Sequence, residues 1–335
     1  MRAEVVPFPG VDACIADLAV TDDGDIYVAG SVHTTPPDDL DAFVARLTPA
    51  GEVVWARQFG SDSNDEALAL DLSAGGVVAG GYTNFELTGE TSRGGRDFFL
   101  VSYSANGDLL ALKQLGTSTR DALSDVVVSN GTVYATGISE GNVPGSEEVD
   151  SKEIAFVVRL DDELEPVWWW SSATVGTEPA SFRNPVMIAA GEGLILTYKK
   201  FDNQATVLLK LDFNGNETWE RRIGSLSDNE PKDMLFLSGR GIFVLGKTYG
   251  AFPGYQEPVC SGSVFSTISY SDTFLIKARD DGRSFKAVQF GGVGNDDGLS
   301  LTAVSGFLYV VYSRSGDSYM QGQVLYLAKF DLQKL

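Results

Sequence analysis

One strand pattern recurs along the chain, and it limits the possible folds more than any other feature. DAFVARL, starting at Asp41, returns as DFFLVSY from Asp97, IAFVVRL from Ile154, ATVLLKL from Ala205, DTFLIKA from Asp272 and VLYLAKF from Val324. The spacings are 56, 57, 51, 67 and 52 residues. A period of this size marks a repeat architecture, in which each unit buries its apolar surface against its neighbours. Between copies the chain breaks into runs of strand length, bounded by Gly, Asn, Asp, Ser or Pro. The stretch Asp41–Thr83 reads as four such strands: DAFVARL, EVVWARQFG, EALALDL and VVAGGYT.

Two further landmarks repeat in step. A Gly ends the strand after four of the copies, in Gln58-Phe59-Gly60, Gln114-Leu115-Gly116, Arg222-Ile223-Gly224 and Gln289-Phe290-Gly291. Tight hairpin turns recur, as in Asp22-Asp23-Gly24 and Ser129-Asn130-Gly131. The chain ends on a lone VLYLAKF strand, while its beginning, EVVPFPG, matches EVVWARQFG. Tail and head together make one repeat. The expected fold is therefore all-β, a single six-bladed β-propeller spanning 1–335, built of four-stranded antiparallel blades. Its last blade is completed by residues 4–10, so that closure leaves no unpaired sheet edge. Seven blades is the alternative count.

The runs IADLAV, EALALDL, SDVVV, PVMIAA, DMLFL and LSLTAV are small and aliphatic, and are assigned to the first, innermost strand of each blade. Loops between strands two and three are then mostly long and unrelated in sequence (32–40, 84–96, 139–153, 200–204, 249–271 and 314–322). They share one face with the blade-to-blade crossings. Variable loops on a rigid scaffold are where binding resides, so that face is the functional candidate.

Composition excludes several classes. The net charge of −21 opposes recognition of nucleic acid phosphates. No apolar run is long enough to cross a membrane as a helix, so no membrane insertion is expected. Cys14 and Cys260 are too few for a disulfide framework. The N-terminus lacks the apolar core of a signal peptide.

The repeat DAFVARLTPAGEVVWARQFGSDSNDEALALDLSAGGVVAGGYT resembles the SBBP-type β-propeller repeat of large bacterial and archaeal surface proteins. The match covers the units from Asp41, Asp97 and Asp272 and the unit composed of the two chain ends; the units from Ile154 and Ala205 are more diverged. The resemblance implies an extracellular or surface-exposed module that is not itself catalytic, and it carries over no catalytic residue.

Candidate chemistry is sparse. His33 is the single histidine, which removes multi-histidine zinc sites and leaves a Ser-His-Asp triad little to stand on. Asp65, Asp121 and Asp296 each follow a landmark Gly by five residues. Two loops are the candidate calcium sites, Asp62-Ser63-Asn64-Asp65 with Asp62 and Asp65 and Asn295-Asp296-Asp297 with Asp296 and Asp297, since calcium needs several loop oxygens. The competing reading is an Asx-type turn that satisfies loop N–H groups; recurrence favours it, and no cofactor is required. Asp17 and Asp125 sit at matching points of inner strands and would hold a cation or be solvated. Trp55 and Trp219 share a register that suits packing between blades. Of Trp168, Trp169 and Trp170, not all can face inward, because strand side chains alternate.

The candidate binding residues are Phe85, Trp169, Phe182, Arg183, Tyr249, Phe252, Tyr255 and Tyr319, aromatics and one Arg placed around the loop face. The expectation is a non-catalytic binding or adhesion module that recognises a protein or carbohydrate. The alternatives are a glycoside hydrolase or lyase with its site at the channel mouth, and a structural spacer in a larger surface protein.

Overall fold

The computed structural model describes residues 12–33, 39–145, 153–172, 185–200, 205–223, 229–250, 252, 271–283, 285–291, 295–314 and 324–334. The chain forms two compact units, Met1–Asn184 and Pro185–Leu335. In the first, β1 (Ala13–Val20), β2 (Ile26–His33), β3 (Leu40–Leu47) and β4 (Val53–Phe59) make blade 1. Blade 2 is β5 (Asp65–Ser73), β6 (Gly76–Thr83), β7 (Asp97–Ser104) and β8 (Leu109–Leu115). Blade 3 is β9 (Asp121–Ser129), β10 (Thr132–Ser139), β11 (Ile154–Leu160) and β12 (Pro166–Ser171).

In the second unit, blade 4 is β13 (Val186–Ala189), β14 (Gly193–Lys200), β15 (Ala205–Asp212) and β16 (Glu217–Ile223). Blade 5 is β17 (Asn229–Leu237), β18 (Gly241–Thr248), β19 (Asp272–Ala278) and β20 (Lys286–Phe290). Blade 6 is β21 (Asp296–Val304), β22 (Phe307–Arg314) and β23 (Val324–Asp331). The fold is an all-β six-bladed propeller with four-stranded antiparallel blades, except that the last sheet has three strands among the described residues. The expected closing strand, residues 4–10, lies outside the described residues.

Each blade is a meander whose strands follow chain order, because short turns can join antiparallel neighbours only. The β9–β10 hairpin shows the device: Asn130 and Gly131 both take positive φ, 51° and 77°. That conformation matches the twist of the flanking strands and suits Asn-Gly. First strands of successive blades lie against each other within each unit, β1 on β5 and β5 on β9, and likewise β13 on β17 and β17 on β21. The inner-strand assignment from sequence holds.

Middle strands are buried on both faces. On β7, Phe98 packs with Phe156 of blade 3 while its neighbour Phe99 packs against Phe59 of blade 1. A strand sandwiched between blades needs apolar residues on both sides, which is why DFFLVSY does not alternate cleanly.

The inner strands are also joined by carboxylates. Asp17 Oδ2 accepts from the N–H of Leu70 (2.9 Å), Asp71 Oδ2 from Val128 (2.7 Å) and Asp233 Oδ2 from Leu301 (2.8 Å). The other oxygen of each accepts from the next N–H along its own strand. Asp125 likewise accepts from Val126 at 2.8 Å. The cation-holding role considered for Asp17 therefore gives way to a different one: its carboxylate oxygens accept backbone N–H groups, one of them across a blade boundary. Trp55 packs between Tyr27 and Tyr103 and donates Nε1–H to the Ala105 carbonyl of blade 2 at 2.9 Å, as its register suggested.

Candidate functional site

The loop-bearing end of the blades is built on two repeated devices. The first combines an Asp, a Gln, a Gly and a second Asp at fixed spacing. Gln58, Gln114 and Gln289 donate Nε2–H to Asp41, Asp97 and Asp272 at 2.6, 2.8 and 2.9 Å. The landmark Gly that follows lies between that Asp and the next blade's first Asp. A Cβ on Gly60, Gly116 or Gly291 would come closer than 3.0 Å to both carboxylates. Asp65 and Asp121 are buried, and each accepts from the backbone N–H of Ser61 or Thr117 at 2.6 Å and from the same residue's hydroxyl. Burial pushes both carboxyls above the usual aspartate range, ahead of these hydrogen bonds, which pull the other way.

These positions decide how the calcium candidates are used. Asp65 accepts the N–H of Ser61, four residues before it, rather than the N–H two residues on that an Asx turn uses. Buried Asp296 flanks Gly291 as Asp65 flanks Gly60. Asp62 is exposed. Asp297 pairs with the Lys247 ammonium at 3.4 Å and accepts the Ser271 hydroxyl at 3.3 Å. Among the described residues no three His, Cys, Asp or Glu side chains converge as a metal site would require.

The second device opens the loops after strand two. Thr83, Ser139 and Thr248 each donate a hydroxyl to the carbonyl two residues on, at 2.8, 3.0 and 3.0 Å, and accept that residue's N–H. Two residues further, Leu87, Val143 and Phe252 turn inward and are buried. Leu87 and Phe252 donate their N–H groups to the Gln114 and Gln289 side chains at 2.9 and 3.0 Å. The expectation of unrelated loops thus needs correction, since three of them open on the same hydroxyl bonds, made by Thr83, Ser139 and Thr248.

This corrects the aromatic candidates too. Phe252 is 2% exposed with its ring 5.4 Å from Phe274, so it plugs its blade and presents nothing to solvent. Trp169 packs against Phe98 and Phe156, at ring distances of 6.1 and 5.7 Å, and belongs to the core between blades 2 and 3. Tyr249 is half-buried, with the Lys247 ammonium 5.7 Å from its ring centre. Phe182, Arg183, Tyr255 and Tyr319 lie outside the described residues. His33 ends β2 with its side chain exposed.

Phe85 stands apart. At its position the other two loops carry Gly141 and Gly250, yet its ring is 58% exposed. Its carbonyl accepts from Thr83 and from Gln114 Nε2 (3.1 Å), so the backbone is fixed while the ring faces water. Next to it, Asn84 Oδ1 accepts from Arg96 Nε at 3.2 Å, and the Arg96 guanidinium lies 3.8 Å over the Tyr82 ring. The Tyr82 hydroxyl donates to Glu66, and burial with this carboxylate drives its pKa upward. Arg96 and Arg120 line a cleft of about 140 Å³ with Asp121, Ile138 and Glu140; Arg120 and Glu140 form an exposed pair at 3.7 Å. Sequence reading missed Tyr82, Arg96 and Arg120. Comparing the repeat copies position by position would have marked Phe85 as the exception, but no pattern in the chain marks the two arginines.

No family model matches the chain. It is 31% identical over 144 residues to the regulatory protein FlaEY of Caulobacter vibrioides, a stretch that is 37% of this chain and 15% of that protein's length. Among solved structures, a Bacteroides caccae protein of unknown function aligns with TM-score 0.49 at 10% identity, covering 92% of this chain and 90% of the other. A subtype N10 neuraminidase-like protein of A/little yellow-shouldered bat/Guatemala/060/2010 aligns with TM-score 0.49 at 9% identity, covering 94% and 93%.

Proposed function

We propose that this protein is a non-catalytic binding module that recognises a protein or glycan through the loop end of blades 2 and 3. The observation carrying this reading is Phe85. An exposed aromatic ring on a backbone pinned by three hydrogen bonds loses little entropy when it is covered, and such residues dominate binding energy. The neighbouring Arg96 adds a planar guanidinium already held in place by Asn84 and Tyr82. Resemblance to the SBBP-type repeat supports placement outside the cell or at its surface. The regulatory role named for FlaEY also fits a protein that acts by recognition.

The test is an array carrying glycans and envelope proteins, probed with the intact protein. Phe85→Ala weakens the specific signal by about tenfold or more. Leu110→Ala, exposed on the outer strand β8, leaves it unchanged. Turnover of an arrayed glycan would favour the hydrolase or lyase reading, and absence of any specific signal would favour the spacer.

A further inference from the structure

A second surface, where β19 and β20 of blade 5 meet the turn after β23, departs from the repeat in its charges, although the Lys277 ammonium lies 5.7 Å from the Phe243 ring centre. In blades 1, 3 and 4 a cation on the third strand pairs across to a Trp on the fourth: Arg46 with Trp55, Arg159 with Trp168 and Lys210 with Trp219. In blade 1 the Arg46 guanidinium is further neutralised by Asp25. In blade 5 the corresponding pair is Lys277 with Lys286. The Trp is replaced by a lysine, and the place of Asp25 is taken by Gly241.

Like charges directly opposite on antiparallel strands repel. In a chain with 46 acidic residues and 25 basic ones, a neutralising carboxylate would be easy to supply, and none lines this groove among the described residues. Instead Lys334, from the turn after β23, brings a third ammonium. Its exposed contact with Asp331, at 4.0 Å, neutralises it weakly.

The groove encloses about 500 Å³, and its floor includes Leu275, Phe285 and Val288, the last two 38% and 40% exposed. Along its side runs β20, the edge strand of its sheet. An edge lysine alone is a common guard against strand pairing. Lys277 stands one strand in from the edge, where a guard has no use. Lys286 and Val288 share the face turned to the groove, so charge and apolar surface alternate along the edge strand.

We infer that this groove binds an extended acidic segment of a partner protein, laid along β20 with carboxylates opposite the lysines and an apolar side chain opposite Val288. Main-chain pairing with an edge that is unpaired among the described residues supplies affinity, and the alternating contacts supply register. The occupant is argued from charge complementarity and from the strand edge, and is independent of the Phe85 site.

The experiment uses the full chain and a fluorescein-labelled peptide of alternating glutamate and valine, read by anisotropy. The peptide binds, binding weakens as salt is raised, and the same peptide with lysine for glutamate does not bind. Lys286→Trp, which restores the residue found in three other blades, weakens binding at least about tenfold, and the fully solvated Lys334→Ala by a few-fold. The inference is overturned if both variants bind as the unaltered protein does, or if the lysine peptide binds equally well. It is also overturned if inorganic phosphate or phosphatidylglycerol vesicles bind at this groove and the acidic peptide does not. Should Lys286→Trp fail to fold, Lys334→Ala still decides the matter, because that side chain is 84% exposed and holds no packing.

Discussion

Gly116 has an aspartate on each side of its Cα, and the same is true of Gly60 and Gly291. Asp97 is buried with Oδ1 outside any hydrogen bond, turned toward the Gly116 Cα, whose C–H is a weak donor. Glycine is required here for space and not for an unusual φ. Gly116→Ala drives a methyl group between two carboxylates that are held by Gln114 and Thr117, and neither can retreat without losing its partner. The expected cost is on the order of 1–3 kcal/mol in urea unfolding. A loss well below that would mean that the Asp97 side chain swings away freely. At this scale the sequence was half legible. The interval from Gly to Asp was visible as a repeat, while the first Asp and the Gln could be joined to it only once strands three and four were paired.

The inner strands show how an element is tied to its neighbour. Backbone N–H groups of Leu70, Val128 and Leu301 point out of their own sheets, and a carboxylate from the preceding blade accepts each of them. Asp233→Ala frees the Leu301 N–H, so hydrogen exchange at Leu301 accelerates while the middle strands β18 and β22 keep their protection. Burial holds the Asp233 carboxyl above the ordinary aspartate value of about 3.9, against the hydrogen bonds from Leu301, Ser300 and Met234. The folded state thus takes up a proton at higher pH than the unfolded chain. The stability this uptake contributes is full below the ordinary value and is lost as pH rises through the raised one. The stability of the unaltered protein relative to Asp233→Ala therefore grows as pH falls from neutrality into the acidic range, and a flat difference would contradict the assignment.

At the scale of the whole molecule the strongest influence is charge. A net −21 on one chain makes self-repulsion a standing cost of the compact state, and salt screens it. The melting temperature rises as sodium chloride goes from roughly 0.02 to roughly 0.5 M, where the Debye length shrinks from tens of ångströms to a few. A melting temperature that falls would mean that the carboxylate contacts within blades outweigh the repulsion. The sequence by itself determined the all-β class, the six blades, the four-strand period and the frame that makes Asp41–Thr83 straddle two blades. Those follow from local rules: strand alternation, turn residues and a repeated length. Only the tertiary structure decided which side chains stay exposed, since burial depends on what another strand brings to the same place. Phe85 and Phe252 lie in loops opened by the same hydroxyl bond but at different places. The Phe85 carbonyl accepts that bond and its ring faces water, whereas Phe252, two places further on where blade 2 has Leu87, fills its blade. Lys277 and Lys286 are nine residues apart in an unremarked hairpin, and pairing alone sets them face to face.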